Sequence, residues 1–310
     1  VTDFEAYRHE LLVHCYRLLG SVHEAEDQVQ ETMLRAWRAR DRYDENLASV
    51  RTWLYRIATN TCLTALEGRA RRPLPSGLGE PSDDPNAPLA LAFDVPWLQP
   101  FPDARLEDDP AEAAVRQGSL RLAFIAAMQV LPPRQRAILI LRDVLEFSAA
   151  EVATLLETST AAVNSALQRA RAGISGLTEG DLAEPDDEKV QQTVDRYIRS
   201  FEAADVDTLV TLLTDDAVLE MPPVPLWYLG RADYGRFIAR VFGMRGTDWR
   251  MVPLAANGQP AVAAYCQGER GAYELHTLQV LTVTPAGIAR NVVFQDPQVF
   301  AAFELAAELG

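Results

Sequence analysis

Apolar residues at Phe4, Tyr7, Leu11, Cys15 and Leu18 recur at three- and four-residue intervals, which predicts a helix over 4–19. Gly20-Ser21 interrupts it, and a second helix starts near Val22 with Ala25, Val29, Met33 and Ala36 on one stripe. Ser49 is placed to cap a third helix, carrying Val50, Trp53, Leu54, Ile57 and Cys62. That helix runs into the cluster Arg69, Arg71 and Arg72 and stops at Pro73 and Pro75. No period is sustained from 73 to 110. Helical spacing resumes at about 111–130, and Leu131-Pro132-Pro133 marks a boundary. Proline fits the first turn of a helix, so Pro133 opens the next one, with Ile138, Leu139, Leu141 and Val144 inward. Ser148-Ala149-Ala150-Glu151 fits a capping box before a short helix that turns Val152, Leu155 and Leu156 inward. Thr158-Ser159 offers another cap for a last helix over 160–171, with Gly173 and Gly176 as its stop.

From Glu188 the pattern changes. One amphipathic helix (Val190, Val194, Tyr197, Ile198, Phe201) and a second near Asp207–Leu213 precede strand-like runs. These are Ala217–Met221, Trp249–Ala255, Ala261–Gln267, Glu274–Thr284 and Ile288–Gln295, with a helix at Ala232–Phe242 between the first two. Asn257-Gly258 and Pro285-Ala286-Gly287 are turn signals. Helices first and antiparallel strands later predict an α+β domain with one curved sheet. The expected fold class is therefore multi-domain: two all-α modules and a C-terminal α+β module. The expected boundaries are 1–72, an acidic proline-rich linker 73–110, 111–177, a short linker 178–187, and 188–310. No internal repeat is present.

The length of 310 residues suits two or three domains, and 48% hydrophobic with 24% charged residues is the balance of an ordinary soluble protein. No run approaches a membrane span and no secretory leader pattern opens the sequence, so a cytoplasmic location and no membrane partner are expected. Cys15, Cys62 and Cys266 are far apart and form no metal-binding pattern; they read as small core residues, with no metal or other cofactor expected. A net charge of −15 argues against nucleic acid at first sight. Its distribution changes that. Residues 1–72 are neutral and 111–177 carry a net +2, while 73–110 carry −7 and 178–310 carry −10. The linker holds nine prolines and also Leu89, Leu91, Phe93, Trp97, Leu98 and Phe101, which need somewhere to dock on this chain or on a partner.

Two short helices joined by a tight turn within 133–171, the second ending in arginines, form the pattern of a helix-turn-helix. Its second helix would enter a major groove with Thr160, Asn164, Ser165 and Gln168 toward base edges, and Arg169 and Arg171 toward phosphates. A plain helical hairpin with a polar face is the alternative. The third helix places Arg51, Trp53, Tyr55, Arg56, Thr59 and Asn60 within three turns, a mixture of rings and cations suited to single-stranded nucleic acid. Trp53 fits a core position equally well.

Taken together, these blocks resemble a known family. Asp27-Gln28-Val29-Gln30-Glu31-Thr32 followed by Trp37-Arg38 is similar to the signature of sigma-70 region 2, as is Thr52-Trp53-Leu54-Tyr55-Arg56-Ile57-Ala58-Thr59-Asn60. Leu131-Pro132-Pro133-Arg134-Gln135-Arg136 and Val163-Asn164-Ser165-Ala166-Leu167-Gln168-Arg169-Ala170-Arg171 resemble region 4. The group is the extracytoplasmic-function (ECF) bacterial sigma factors. The resemblance implies that Asp27, Gln30, Glu31, Trp37 and Arg38 contact the β′ clamp helices of core RNA polymerase. It also implies that the 40–50 loop and third helix hold the melted −10 element of promoter DNA, and that the second module reads the −35 element and packs on the β flap. The acidic linker would thread the polymerase cleft as a nucleic-acid mimic. Polymerase performs the chemistry, so the chain is expected not to be an enzyme. At the recognition helix, Ala161-Ala162-Val163-Asn164-Ser165-Ala166-Leu167 lacks two cations that relatives often carry, which implies weak binding to free DNA.

Residues 188–310 resemble a SnoaL-like domain of the NTF2-like superfamily, through Leu212-Leu213-Thr214-Asp215-Asp216-Ala217-Val218-Leu219-Glu220-Met221-Pro222-Pro223 and Trp227-Tyr228-Leu229-Gly230-Arg231. The resemblance implies a helix-covered cone with an apolar pocket, for which Trp227, Tyr228, Trp249, Tyr265, His276 and Asp296 are the candidate lining. Some relatives are cyclases or isomerases using Asp or His, which makes His276 and Asp296 candidate acid–base groups. A satisfied structural histidine, a ligand pocket or an intramolecular contact with the sigma modules are the other readings. The function expected is promoter-specific initiation modulated by the C-terminal domain. A DNA-binding regulator that does not recruit polymerase, or a SnoaL-type enzyme with a vestigial DNA-binding region, are the alternatives.

Overall fold

The computed structural model describes residues 4–106, 118–175, 187–268 and 271–310. The chain divides into two compact units, Val1–Arg72 with Leu98–Glu179 and Pro73–Trp97 with Gly180–Gly310. The expected linker is therefore split: 73–97 goes with the second unit and 98 onward with the first. Part of it, and the start of the helix expected over 111–130, lie outside the described residues.

The first unit begins with α1 (Arg8–Leu19), α2 (Val22–Ala39) and α3 (Val50–Ala65). The break at Gly20-Ser21 is a left-handed Gly20 (φ +68°) followed by Ser21, whose hydroxyl accepts from the Glu24 amide. Ser49 caps α3 by accepting from the Thr52 amide at 3.1 Å. Leu11, Leu18, Val29, Ala36, Leu54 and Ala58 are buried between the three helices, as the stripes require. Cys15 and Cys62 are buried in the same core, where burial pushes the Cys62 thiol up and leaves it inert.

Residues 98–101 pack on this core. The Phe101 ring lies 4.9 Å from Tyr16, and the Tyr16 hydroxyl donates to the Gln99 carbonyl at 2.8 Å. Then come α4 (Leu122–Gln129), α5 (Pro133–Leu139), a π-helical turn Ile140–Val144, α6 (Ala149–Leu155) and α7 (Thr160–Ile174). Pro133 occupies the first turn of α5, Ser148 and Glu151 form both bonds of the capping box, and Ser159 caps α7. Gly173 stays helical instead of ending α7. A Cβ there would sit 2.9 Å from Leu131 Cδ2, so its job is close packing. Arg136, at 2% exposure, ties the two sets of helices together by donating to the carbonyls of Leu18, Gln129 and Leu131. Burial, and secondarily Arg71, pull its pKa down to about 10, so it stays charged.

The second unit carries α8 (Asp187–Glu202), α9 (Val206–Thr211), β1 (Leu213–Glu220), β2 (Trp227–Leu229), α10 (Arg231–Arg245), β3 (Trp249–Ala256), β4 (Gln259–Gln267), β5 (Tyr273–Thr284), β6 (Gly287–Phe294), α11 (Pro297–Ala302) and β7 (Glu308–Leu309). The strands form one sheet in the order β2-β1-β6-β5-β4-β3, with β7 on β5. Only β1 and β6 pair in parallel among the described strands. Asn257 (φ +58°) and Gly258 (φ +66°) make the two-residue turn between β3 and β4 that their sequence signals. Val194, Tyr197 and Phe201 of α8 face the sheet, with Phe201 5.2 Å from Trp249 and 5.0 Å from Phe242.

Residues 73–97 lie on this unit as a strap. Ser76 donates its amide to Glu220 Oε1 at 2.9 Å, and Glu220, fully buried, is also held by Arg290 at 3.0 Å. Further along, Trp227 Nε1 donates to the Gly79 carbonyl and the Ser82 amide to the Trp227 carbonyl, both at 2.8 Å. The Tyr228 hydroxyl donates to the Asp84 carbonyl at 2.9 Å. Arg240 Nη1 donates to the carbonyls of Pro85 and Ala87, each at 2.8 Å, and the Ala92 amide to Pro223 O at 2.9 Å. A proline-rich segment lacks enough N–H groups to pair its own carbonyls, and these donors from elsewhere in the unit pair with them.

Candidate functional site

On α2, Asp27, Gln30, Trp37 and Arg38 are exposed and Glu31 half-exposed. At about 100° per residue these positions fall on one face. Leu34 shares it at 40% exposure, and Trp37 stands at 59%. The sequence reading missed Leu34; its signal was an apolar residue one turn before Trp37 on an otherwise polar face. The Arg40 guanidinium covers the Trp37 ring at 4.5 Å, and Arg35 pairs with Glu31 at 2.6 Å. The stripe thus has a greasy centre and a charged border, the anatomy of a protein-binding face.

The six candidates on α3 separate. Tyr55 (1% exposed) and Thr59 (0%) are core residues, not base contacts in this arrangement. The Tyr55 hydroxyl donates to Glu10 at 3.0 Å, its ring lies 5.5 Å from Phe147, and burial raises its pKa. Thr59 bonds His14 Nε2 at 2.9 Å; burial, then Arg17 and Arg51, push that histidine down to about 3. Arg51 is drawn to Glu10 at 2.8 Å, and Arg56 to Glu157 at 2.7 Å. Trp53 is half-buried between Phe4 (5.7 Å) and Tyr43 (5.0 Å), and Asn60 is half-buried. A cleft of about 630 Å³ lies beside them, walled by Tyr43, Leu47, Trp53 and Arg56 on one side and Glu151 and Thr154 on the other.

On α7, Thr160, Asn164, Ser165, Gln168, Arg169 and Arg171 are all exposed, while Val163, Ala166, Leu167 and Ala170 are buried. Helical geometry puts Thr160, Asn164, Gln168 and Arg171 in one sector and Ser165 and Arg169 toward its flank. Arg171 forks onto Asp143 at 2.7 and 2.8 Å, so phosphate would have to compete for it. Arg169 donates to Ser165 Oγ at 2.7 Å.

In the second unit a cavity of about 340 Å³ opens between sheet, helices and strap. Phe201, Leu219, Met221, Phe237, Ile238, Leu89 and Leu91 give it an apolar wall, and His276, Thr277, Gln279, Asn291, Gln295 and Arg245 supply its polar groups. His276 is the one member of the expected lining found there. Trp227 and Tyr228 instead hold the strap. Trp249 and Tyr265 are buried, at 2% exposure each, in the core of the sheet. Asp296 caps α11 by accepting from the Gln298 amide at 2.8 Å. His276 has Gln295 at 3.4 Å and is pushed down to about 4 by burial and then Arg245. It is thus held neutral, and the described lining residues include no carboxylate. No cluster of metal-ligating side chains occurs among the described residues, and none of their helices is long and apolar enough to cross a membrane.

Residues 4–72 match the family of Sigma-70 region 2, 121–173 that of Sigma-70 region 4, and 194–302 the SnoaL-like domain. The chain is 49% identical, over 97% of its length and 82% of the relative's, to the ECF RNA polymerase sigma factor SigG of Mycobacterium tuberculosis. It is 33% identical to SigJ of the same species, over 70% of this chain and 62% of that one. The crystal structure of that SigJ superposes with a TM-score of 0.67 at 26% identity, covering 98% of this chain and 99% of the other.

Proposed function

The chain belongs to the ECF RNA polymerase sigma factors and carries a C-terminal SnoaL-like domain; from that membership we propose how its surfaces divide the work. Sigma factors direct polymerase to promoters and leave the chemistry to it, so the chain is not an enzyme. In this reading the Asp27, Gln30, Leu34, Trp37 and Arg38 stripe docks on the β′ clamp helices of core polymerase, and the second set of helices packs on the β flap. Thr160, Asn164 and Gln168 read the −35 element. Trp53, Arg56 and Asn60, beside the cleft, take the −10 element. Arg56 must first leave Glu157, and the protein works in the cytoplasm with its polymerase.

The observation that carries this reading is the exposure of Leu34 and Trp37 on a single helix face, where a lone folded chain gains nothing from them. Pull-down with core polymerase, followed by run-off transcription, tests it. Trp37→Ala should weaken core binding by about 2–4 kcal/mol, the range of a buried aromatic anchor. Binding equal to the parent would sink the assignment.

The C-terminal domain is read as a regulator that acts through the strap. Residues 73–97 belong to the acidic linker that the polymerase cleft is expected to receive, and here its carbonyls are held by Trp227, Tyr228 and Arg240. A segment cannot lie in both places, so the domain competes with polymerase for it. Transcription by full-length protein and by a chain ending near 180, compared on one promoter, measures that competition. Identical activity would remove the regulatory role.

A further inference from the structure

We propose that α7 takes its sequence preference from A·T pairs alone: two adenines less than about two base steps apart, read by the amides of Asn164 and Gln168, and a thymine methyl met by Ala161, with no guanine read. This rests on the reading of the second set of helices as the −35 reader and adds the sequence that it selects. The argument starts from where the cations go. Arg134 donates to the Leu156 carbonyl and Arg142 to that of Phe147. Arg136 is buried on the carbonyls of Leu18, Gln129 and Leu131, and Arg121 is buried as well. Arg171 forks onto Asp143, and Arg169 donates to Ser165 Oγ. Among the described residues of 118–175, each arginine is thus buried or already donating to a protein atom. A cation held bidentate on guanine O6 and N7 is the commonest specific contact in a major groove, and on α7 every cation has another partner.

The uncharged groups are in the opposite state. Asn164 and Gln168 are exposed, and neither amide has a partner among the described residues. Each carries a donor and an acceptor side by side, the complement of adenine N7 and N6. They stand one turn apart, about 6 Å along the helix at about 1.5 Å per residue. That is less than two base steps of about 3.4 Å for a helix lying along the groove. Ala161 is exposed too and, at about 100° per residue, lies about 20° from Gln168 around the helix. Ser159 fixes this first turn by accepting from the Ala162 amide at 3.2 Å. The Ala161 methyl suits the C5 methyl of thymine, the one apolar group displayed in a major groove. Amides release no counterions, so the preference they give should hold at all salt concentrations while overall affinity falls.

In the test, full-length chain bound to core polymerase selects from DNA duplexes randomised across the upstream element, and the variants show which selected positions belong to α7. Asn164→Ala and Gln168→Ala should each relax a different adenine position by about fivefold or more, the low end of a bidentate contact. Deoxyuridine in place of the selected thymine removes only the methyl; it should weaken binding by the parent several-fold and leave Ala161→Gly indifferent. Arg169→Met should weaken all sequences alike and keep both adenines. All of these side chains are exposed, so the fold is not at stake. A selected guanine whose preference disappears in Arg169→Met or Arg171→Met would overturn the proposal and leave the −35 assignment standing. Adenine preferences untouched by both amide variants would also overturn it, and equal binding of deoxyuridine and thymine would overturn the part given to Ala161. If no upstream sequence were enriched, the −35 assignment would fall and the proposal with it.

Discussion

Arg240→Met isolates the grip on the strap. One nitrogen of this side chain donates to the carbonyls of Pro85 and Ala87 at 2.8 Å each, and methionine keeps the aliphatic stem while removing both bonds. Hydrogen bonds from a charged donor contribute about 1.5–3 kcal/mol each. Arg240 is half-exposed, so water partly replaces both acceptors when the strap lifts, and the pair together is credited with about 1.5–3 kcal/mol. At about 1.4 kcal/mol per factor of ten, the opening equilibrium should rise about 10- to 100-fold. Hydrogen exchange followed residue by residue is the assay, because two amides report on the strap directly. Ser82 donates to the Trp227 carbonyl and Ala92 to that of Pro223. Both should lose protection by that factor, while Val262 and Ala263 in the middle of β4 keep theirs. Equal loss in β4 would mean that the whole unit had been destabilised. No loss at Ser82 and Ala92 would mean that Arg240 does not hold the strap. In either case the reasoning fails.

Gln168→Ala should reduce discrimination among −35 sequences by about 1–3 kcal/mol, since a glutamine on an exposed recognition face can pair bidentately with adenine; equal transcription from all −35 variants would refute this. His14 is buried and held neutral, with its pKa near 3, whereas the unfolded chain protonates it near 6.5. Its contribution to stability is therefore full above about pH 6.5 and falls by about 1.4 kcal/mol per pH unit as pH drops toward 3. Urea midpoints from pH 7 to pH 4, compared with a His14→Gln chain, should show that extra slope in the parent only. Gly20→Ala should destabilise the first unit by about 1–3 kcal/mol, because Gly20 has φ +68° and an added Cβ would sit 2.8 Å from Leu98 Cδ1; a melting temperature unchanged from the parent would contradict the packing described.

Local rules made much of this protein legible. Ser21, Ser49, Ser148 and Ser159 are read as caps or breaks from neighbouring residues, and each cap bond lies within three residues of its serine. The strands β1, β3, β4, β5 and β6 fall on the five strand-like runs, whereas the short β2 and β7 carry no such signal, and Asn257-Gly258 fixes one hairpin because few residues tolerate two successive positive φ angles. The polar sector of α7 and the exposed stripe of α2 follow from helical period alone. Ordered motifs then carried the family assignment.

Partners distant in sequence were set by the tertiary structure. Tyr55 and Thr59 sit among nucleic-acid-like neighbours in sequence, yet Glu10, Phe147 and His14 bury them, and nothing local announces those contacts. Trp227 and Tyr228 look like pocket residues until carbonyls about 145 residues earlier claim their polar atoms. The cavity is marked by Asn291 and Gln279, two ordinary strand amides whose significance appears only when two tyrosines from separate helices converge on them. Sequence period determines which face of an element is apolar, because that depends on backbone geometry within a few residues. Which face meets which, and which polar atom is left without a partner, depends on closure of the whole chain, and so only the folded structure decided it.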